Sequence, residues 1–156
     1  MGTFDSFDKI ILRQLQKDSS ISNLDLSKMI GLSASACLAR TKNLKELGVI
    51  KQFTTLVDEK KLGMETIAFI MVVLSPLTRE TANFFLERIN EIPQVLECYA
   101  ITGNRDYLLK IIAKDMTTYK DFVIDSLMAI PGVSRVESNI VINTEKRTLS
   151  IPIDEE

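Results

Sequence analysis

The segment from Ile30 to Leu44 constrains the fold of this chain more than any other stretch. Gly31 lies where two short helices must turn sharply, and glycine accepts the positive φ that such a turn requires. Ser33 is the predicted N-cap of the next helix, because its hydroxyl can accept a hydrogen bond from an unpaired backbone N–H group. That helix carries small residues first and cations later, which suits a helix entering the major groove of DNA. The segment therefore predicts the turn and second helix of a helix-turn-helix.

The distribution of charge indicates two modules. The chain has 156 residues, 46% of them hydrophobic, which suits one ordinary domain or two small ones with a real core. Its net charge is −2, but residues 1–55 hold eight Lys and Arg against five Asp and Glu, a net of +3. The remainder carries −5. A basic N-terminal module is consistent with nucleic-acid binding.

Composition also excludes several classes of protein. The chain has no histidine, which removes Ser-His-Asp and Cys-His catalysis and the commonest metal ligand. Cys37 and Cys98 are too far apart to predict a disulfide framework or a zinc site, and they fit a reducing cytosol. The longest apolar run, Ile67 to Leu74, is too short to span a membrane and no signal peptide is apparent. Lysine, carboxylate and cysteine chemistry stay possible, but no paired-carboxylate or Ser-x-x-Lys pattern stands out, so we expect no enzyme, no metal, no cofactor and no membrane association.

Caps and periodicity predict three helices in the first module. They run from Asp5 to Lys17, from Ser22 to Met29 and from Ala34 to Leu47. Gly48 is the predicted stop of the third helix. Residues 49–57 are β-branched and aromatic, which predicts a wing or a connecting strand, and residues 58–63 read as a linker.

The third helix has two faces. At 100° per residue, Cys37, Thr41 and Leu44 share the inward face. The opposite face carries Ser35, Ala39, Lys42 and Glu46, with Ala36 and Asn43 beside them. Arg40 lies at the boundary, where an ion pair with an acid of an earlier helix is as acceptable as a phosphate contact. Lys42 and Asn43 are long enough to reach phosphate or base edges, whereas Cys37 is expected in the core.

The second module has the order βαββαβ, which predicts an antiparallel sheet with two helices on one face. The predicted strands are 66–74, 95–102, 107–113 and 133–142, the predicted helices are 78–90 and 117–128, and the tail from Lys146 to Ile153 can add one more strand. The second and third strands flank the turn Gly103, Asn104, Arg105 and Asp106. This turn can be an ordinary hairpin turn. Alternatively, its N–H groups could hold an α-carboxylate while Asp106 pairs with an α-ammonium group.

Taken in order, several segments resemble the Lrp/AsnC (leucine-responsive, or feast-famine) family of prokaryotic transcription regulators. They include 7–12, 15–18, 21–27, 31–33, Cys37-Leu38, Arg40, 44–50, 97–99, Thr102-Gly103, 106–110 and 131–133. The resemblance implies an α+β fold. An N-terminal winged helix-turn-helix would occupy residues 1–52, a connecting strand and linker 53–63, and a βαββαβ (ferredoxin-like, RAM/ACT-like) effector-binding and oligomerisation domain 64–156.

The resemblance also implies partners and site residues. The partners are double-stranded DNA, a free amino acid, with leucine or methionine favoured, and a second copy, in homodimers that assemble into an octamer. The implied location is the cytoplasm, in association with the nucleoid. Family positions that approach the groove match Ser33, Ser35 and Ala36, and the effector pocket lies between dimers. Besides the turn, its positions match Met116, Met128, Ser138 and Asn139, although the two methionines fit the core equally well.

The chain departs from the family pattern at two points. Ser19-Ser20 stand where the family usually has Gly-Arg, and Arg105 occupies a variable position of the effector turn. Two other hypotheses stay open at this stage. One is a DNA-architectural protein with little sequence preference, whose C-terminal domain only oligomerises. The other is an enzyme, or the regulatory subunit of one, with an amino-acid-sensing domain.

Overall fold

The computed structural model describes residues 4–154, so the first three and last two residues of the predicted domains lie outside the described residues. The chain divides into two compact units. The first unit contains residues 1–56 together with 146–156, and the second contains residues 57–145. The tail, which the sequence grouped with the second module, therefore belongs to the first unit.

Three capped helices form the first unit. They are α1 (Ser6–Lys17), α2 (Asn23–Ile30) and α3 (Ala34–Glu46), and their N-caps are Asp5, Ser22 and Ser33, as predicted. Their apolar faces meet in a small core. Its buried members are Ile11, Leu26, Ile30, Cys37 and Leu44.

The turn between α2 and α3 has the predicted geometry. Gly31 ends α2 with φ of 73°, in the left-handed region that disfavours a side chain. Gly48 follows α3 with φ of 72° and donates its N–H to the Lys45 carbonyl. Residues 51–57 form no strand in the described chain, contrary to the prediction for 49–57. A strand requires a hydrogen-bonded neighbour, and no other described segment supplies one.

The second unit is a four-stranded antiparallel sheet with the order β2-β3-β1-β4. The strands are β1 (Thr66–Leu74), β2 (Val95–Ala100), β3 (Tyr107–Ala113) and β4 (Val133–Ile140). Helices α4 (Arg79–Asn90) and α5 (Met116–Asp121, continued by a π-helical segment Phe122–Leu127) complete the βαββαβ order. The predicted ends of β2 and β4 were each two residues too long.

One face of this sheet is covered and the other is open. Alternate residues of β1 and β3, such as Ile70 and Leu109, are fully buried in a core that also contains Phe85 of α4 and Leu127 of the π-helical segment. The intervening residues form what we call the open face. It comprises the apolar residues Ile67, Phe69, Met71, Val73, Leu108 and Ile112, together with Lys110, which lies opposite Phe69 and pairs with Glu97 of β2 at 2.8 Å. The alternation follows from the two-residue period of a strand.

Candidate functional sites

Helix α3 is fixed at its start by hydrogen bonds that Ser33 and Asn23 make. The Ser33 hydroxyl accepts from the Ala36 N–H at 3.2 Å and lies 3.2 Å from the Ser35 hydroxyl. The Asn23 side-chain amide of α2 donates to the Ala34 carbonyl at 2.8 Å, which joins the two helices at the turn. Ser33 therefore has a structural task besides any contact with a ligand.

The exposed face of α3 carries the long polar side chains that the sequence selected. Ser35, Lys42 and Asn43 are exposed, while Ala36 is half-buried. Lys42 is 74% exposed and lies 3.7 Å from Glu46, one turn further on. So exposed an ion pair holds the lysine weakly, and the ammonium group can exchange Glu46 for a phosphate. Cys37 is buried, and this burial raises the pKa of its thiol, as expected for a core residue.

Arg40 is engaged by α1 instead of projecting freely. Its guanidinium lies 2.8 Å from Asp5 and 2.9 Å from Asp8, and it sits 5.4 Å from the centre of the Phe7 ring. Hydrogen bonds to Asp8 and Asp5 raise the pKa of Arg40. The pKa of Asp5 is lowered, first by the Asp8 backbone N–H and then by Arg40. Of the two interpretations the sequence allowed, the geometry supports the ion pair with an earlier helix.

The turn between β2 and β3 is held to the end of β1 by Asp106. One carboxylate oxygen accepts the Leu74 N–H at 2.8 Å, and the Asp106 N–H donates to the Val72 carbonyl at 2.9 Å. Gly103 has φ of 113°, a conformation that favours glycine. Gly103 and Asn104 are exposed, and the second carboxylate oxygen of Asp106 has no hydrogen bond among those of the described residues.

Arg105 ties this turn to β4. Its guanidinium donates to Glu137 at 2.6 Å and to the Asn104 carbonyl at 2.9 Å, and its side chain is only 14% exposed. The hydrogen bond from Arg105 lowers the pKa of Glu137. Sequence reasoning did not select Glu137. The only signal was an acid and a base on segments that the topology brings to one edge of the sheet.

The other predicted effector residues do not form a single cluster within one chain. Ser138 and Asn139 follow Glu137 on β4 and are exposed. The turn lies just before the start of β3, and Met116 begins α5 just after the end of β3. Met116 is therefore separated from the turn by the length of this strand, about 20 Å at 3.3 Å per residue. Met128 directly follows the π-helical segment that continues α5 and, like Met116, is about half exposed. Neither methionine is buried in the core, which was one of the two alternatives.

A cleft that the sequence did not predict lies in the second unit. It has a volume of about 340 Å³ and is lined by Ser75, Pro76, Glu80, Thr81, Phe84, Pro131 and Gly132. These residues come from the end of β1, the start of α4 and the turn before β4. The described residues contain no cluster of His, Cys, Asp and Glu that could hold a metal. Among them, no helix is both long and apolar enough to cross a bilayer.

Two family models together match most of the chain. An Lrp/AsnC ligand binding domain matches residues 67–151, and a winged helix-turn-helix DNA-binding domain matches residues 4–51. The chain belongs to the Lrp/AsnC family. It is 65% identical over 151 residues to the transcriptional regulator AzlB of Bacillus subtilis, covering 97% of this chain and 96% of that protein. The leucine-responsive regulatory protein of Rhizobium meliloti is 34% identical, with 96% of each chain covered.

A solved structure agrees with the assignment. The transcriptional regulator NMB0573 of Neisseria meningitidis, in complex with L-Met, superposes with a TM-score of 0.92 at 34% identity. The match covers 96% of this chain and 97% of that one. This Lrp/AsnC protein is thus a transcription regulator with a DNA-binding helix-turn-helix and a ligand-binding domain. Its relatives are regulators, not enzymes.

Proposed function

We propose that this regulator recognises specific sites in double-stranded DNA by placing α3 in the major groove. The observation that carries the proposal is the exposed polar face of α3, held in a small helical unit of net positive charge. Ser35, Lys42 and Asn43 supply the groove contacts, and Ala36 allows close approach. Ser33 contributes at the helix start. Arg40 acts indirectly, by joining α3 to α1 through Asp5 and Asp8.

The salt dependence of DNA affinity tests the role of Lys42. Each phosphate contact contributes about 0.9 to the slope of log K against log [salt]. Replacing Lys42 with alanine should lower the slope by about one unit for each copy bound. Lys61→Ala is the matched control, because Lys61 is also highly exposed and pairs weakly, at 4.0 Å, with Asp58 outside the first unit. An unchanged slope in Lys42→Ala would contradict the contact.

A comparison of DNA sequences tests recognition as such. The regulator should bind sites selected from a pool of random DNA sequences roughly 10³-fold or more tightly than unselected DNA at physiological salt. Equal affinity for both would identify an architectural protein instead. The same experiment can be repeated with Asn43→Ala. This change should lower the ratio of the affinity for specific DNA to that for random DNA, and it should leave the salt slope unchanged because an amide carries no charge.

The proposed effector is a free amino acid with a leucine-like or methionine-like side chain, bound at the turn formed by Gly103, Asn104, Arg105 and Asp106. Exposed N–H groups of the turn would receive the α-carboxylate, and the second oxygen of Asp106 would receive the α-ammonium group. Ser138 and Asn139, with Met116 and Met128 as flexible apolar surface, would come from neighbouring copies and complete the pocket. The L-Met complex of the Neisseria meningitidis relative supports this ligand class.

Asp106→Asn is the sharpest test of the effector site. Because one Asp106 oxygen accepts the Leu74 N–H, alanine would disturb β1 as well as the ligand. Asparagine keeps an acceptor for that N–H and removes only the charge. A thermal-shift screen against the twenty amino acids identifies the ligand, since a ligand that binds the folded state raises the midpoint. Calorimetry of Asp106→Asn should then show at least a tenfold loss of affinity, and full affinity would refute the assignment.

We further propose that the regulator forms homodimers that assemble into an octamer in the cytoplasm, in association with the nucleoid. The open face of the sheet supports dimer formation, because Phe69 is 36% exposed and its apolar neighbours are only half-covered. A second copy packed there would remove these side chains from water. Light scattering tests the assembly. Phe69→Glu should shift the mass to that of a monomer, whereas a change on the exposed outer side of α4, such as Glu87→Lys, should leave it unchanged.

A further inference from the structure

The C-terminal tail is bound to helix α1 by a set of directed hydrogen bonds. The Gln16 side-chain amide makes two of them with one residue: its oxygen accepts the Ile151 N–H at 2.7 Å, and its nitrogen donates to the Ile151 carbonyl at 3.2 Å. The Ser150 hydroxyl donates to the Gln16 backbone carbonyl at 3.2 Å. Arg13, one turn earlier on α1, donates to the Asp154 carbonyl at 3.3 Å.

The chemistry of this contact is selective. A primary amide offers one donor and one acceptor side by side, so Gln16 pairs with Ile151 as a neighbouring strand would. A carboxylate in its place would set an oxygen against the Ile151 carbonyl. Pro152 follows, and it restricts the preceding Ile151 to extended backbone conformations. The undocked tail therefore already favours the extended conformation in which it binds, which lowers the conformational entropy lost on docking.

Because of the path of the chain, the docked tail forms a second connection between the two units. The chain passes between the two units twice, at residues 56–57 and again at 145–146. The second crossing begins just after β4, which carries the proposed effector residues Ser138 and Asn139. The nine residues 141–149 between β4 and Ser150 can span at most about 30 Å. A docked tail therefore limits how far α1 can move from β4, whereas a free tail leaves only the first connection.

We propose that the surface of α1 formed by Arg13 and Gln16 is a receptor for the chain's own C-terminal tail, residues 150–154. The docked tail is a second tether between the ligand-binding strand β4 and the DNA-binding unit. It reduces the freedom that the helix-turn-helix must lose when it binds DNA, so its release weakens DNA binding. The docking itself is independent of the proposed function, while its effect on DNA binding rests on that function.

Hydrogen exchange of the Ile151 amide, followed by NMR on the full chain, tests the docking. The amide should exchange at least about tenfold more slowly than in an unstructured peptide, since the N–H is held by Gln16. Gln16→Ala should abolish this protection. Alanine is a better helix former than glutamine, so α1 should persist. Gln14→Ala, on another face of the same helix, is the matched control and should keep the protection. Fast exchange in the native chain, or protection unaffected by Gln16→Ala, would overturn the proposal.

Mixed oligomers distinguish docking within one chain from docking between copies. One copy lacks residues 150–156, and the other carries Gln16→Ala but keeps its tail. If each tail docks on its own chain, neither copy of the mixture has both the receptor and the tail, and Ile151 is unprotected. Protection in the mixture would show that the tail of one copy binds α1 of the other and would overturn docking within the chain.

DNA affinity tests the tether. Gln16→Ala and the truncation after Leu149 should each weaken DNA binding by about threefold to tenfold, and the double change should be no worse than the truncation alone. Gln14→Ala should bind like the native protein. Native affinity in the truncated chain would refute the tether, even if the tail is docked. If the native chain binds no DNA at all, the proposed function fails, and the exchange experiment still decides the docking.

Discussion

Gly132, in the turn before β4, should be the glycine least tolerant of substitution in the second unit. Its φ is 93°, in the region that L-residues rarely adopt, and a Cβ built on it would lie 2.2 Å from the Cγ2 methyl of Thr81 on α4. Its carbonyl accepts the Ser75 N–H at 2.8 Å, so the turn is also bonded to the end of β1. A residue that forces the turn outward therefore disturbs two strands and the cleft between them.

The size of the effect follows from two separate costs. A non-glycine residue in this part of φ/ψ space costs about 1–2 kcal/mol. Forcing a methyl group against Thr81 adds about 1–3 kcal/mol, because the neighbour must shift. Gly132→Ala should therefore lower the free energy of unfolding by about 3 kcal/mol. Thr81→Ser removes only the obstructing methyl and keeps the hydroxyl that lies 2.9 Å from Thr78, so Gly132→Ala should cost about 1–2 kcal/mol in that background.

Urea unfolding followed by circular dichroism measures the four variants of this cycle. A favourable coupling of at least about 1 kcal/mol between the two changes is expected. Because the chain has two units, the transitions are fitted separately if two are resolved. A free energy of unfolding of Gly132→Ala within about 0.5 kcal/mol of that of the native chain, which is below the range expected for overpacking, would refute the strain. Equal costs of Gly132→Ala with threonine and with serine at position 81 would refute the steric contact.

The remaining predictions concern charge and the helical turn. Arg40→Ala should lower the melting temperature of the first unit and leave the salt slope of DNA binding unchanged, and the opposite pattern would make Arg40 a phosphate contact. Glu137 has a pKa below its usual 4.5 because of Arg105. Its contribution to the free energy of unfolding is therefore complete above pH 4.5 and is lost as the pH falls through the folded-state pKa. As the pH is lowered, the melting temperature should therefore fall less steeply in Glu137→Gln than in the native chain. Gly31→Ala, at φ of 73°, should destabilise the first unit by about 1 kcal/mol in urea unfolding.

The local features of this fold were the predictable ones. The N-caps Asp5, Ser22 and Ser33 and the glycines after α2 and α3 depend on atoms within a few residues of one another. Such interactions are encoded in a short stretch of sequence. Strands β1 and β3 were also predictable, because each is a short, nearly continuous apolar run, and which of its faces is buried became visible only in the structure. These signals were sufficient to predict both modules.

The possible strands that are absent from the described chain depend on a partner elsewhere. Residues 49–57 and 146–153 have the composition of strands, but β structure also requires a neighbour with free N–H and C=O groups. The tail instead finds Gln16, which is 135 residues away along the chain. Nothing within the tail marks an amide on α1 as its partner. The π-helical turns at Phe122–Leu127 were missed for a related reason, since helical periodicity in the sequence does not reveal how tightly the turns are wound.

Arg40 shows where the limit lies within the candidate DNA-binding site. Helical periodicity placed it at the boundary of the inward and outward faces of α3, and both roles were consistent with that position. The decision depends on how α1 crosses α3, because this crossing brings Asp5 and Asp8 within 3 Å of the guanidinium. Lys42, two residues on, forms its one ion pair among residues 4–154 with Glu46 of its own helix. The two cations of α3 thus differ in their surroundings: Arg40 joins the helix to α1, and Lys42 is the cation that we propose for contact with DNA.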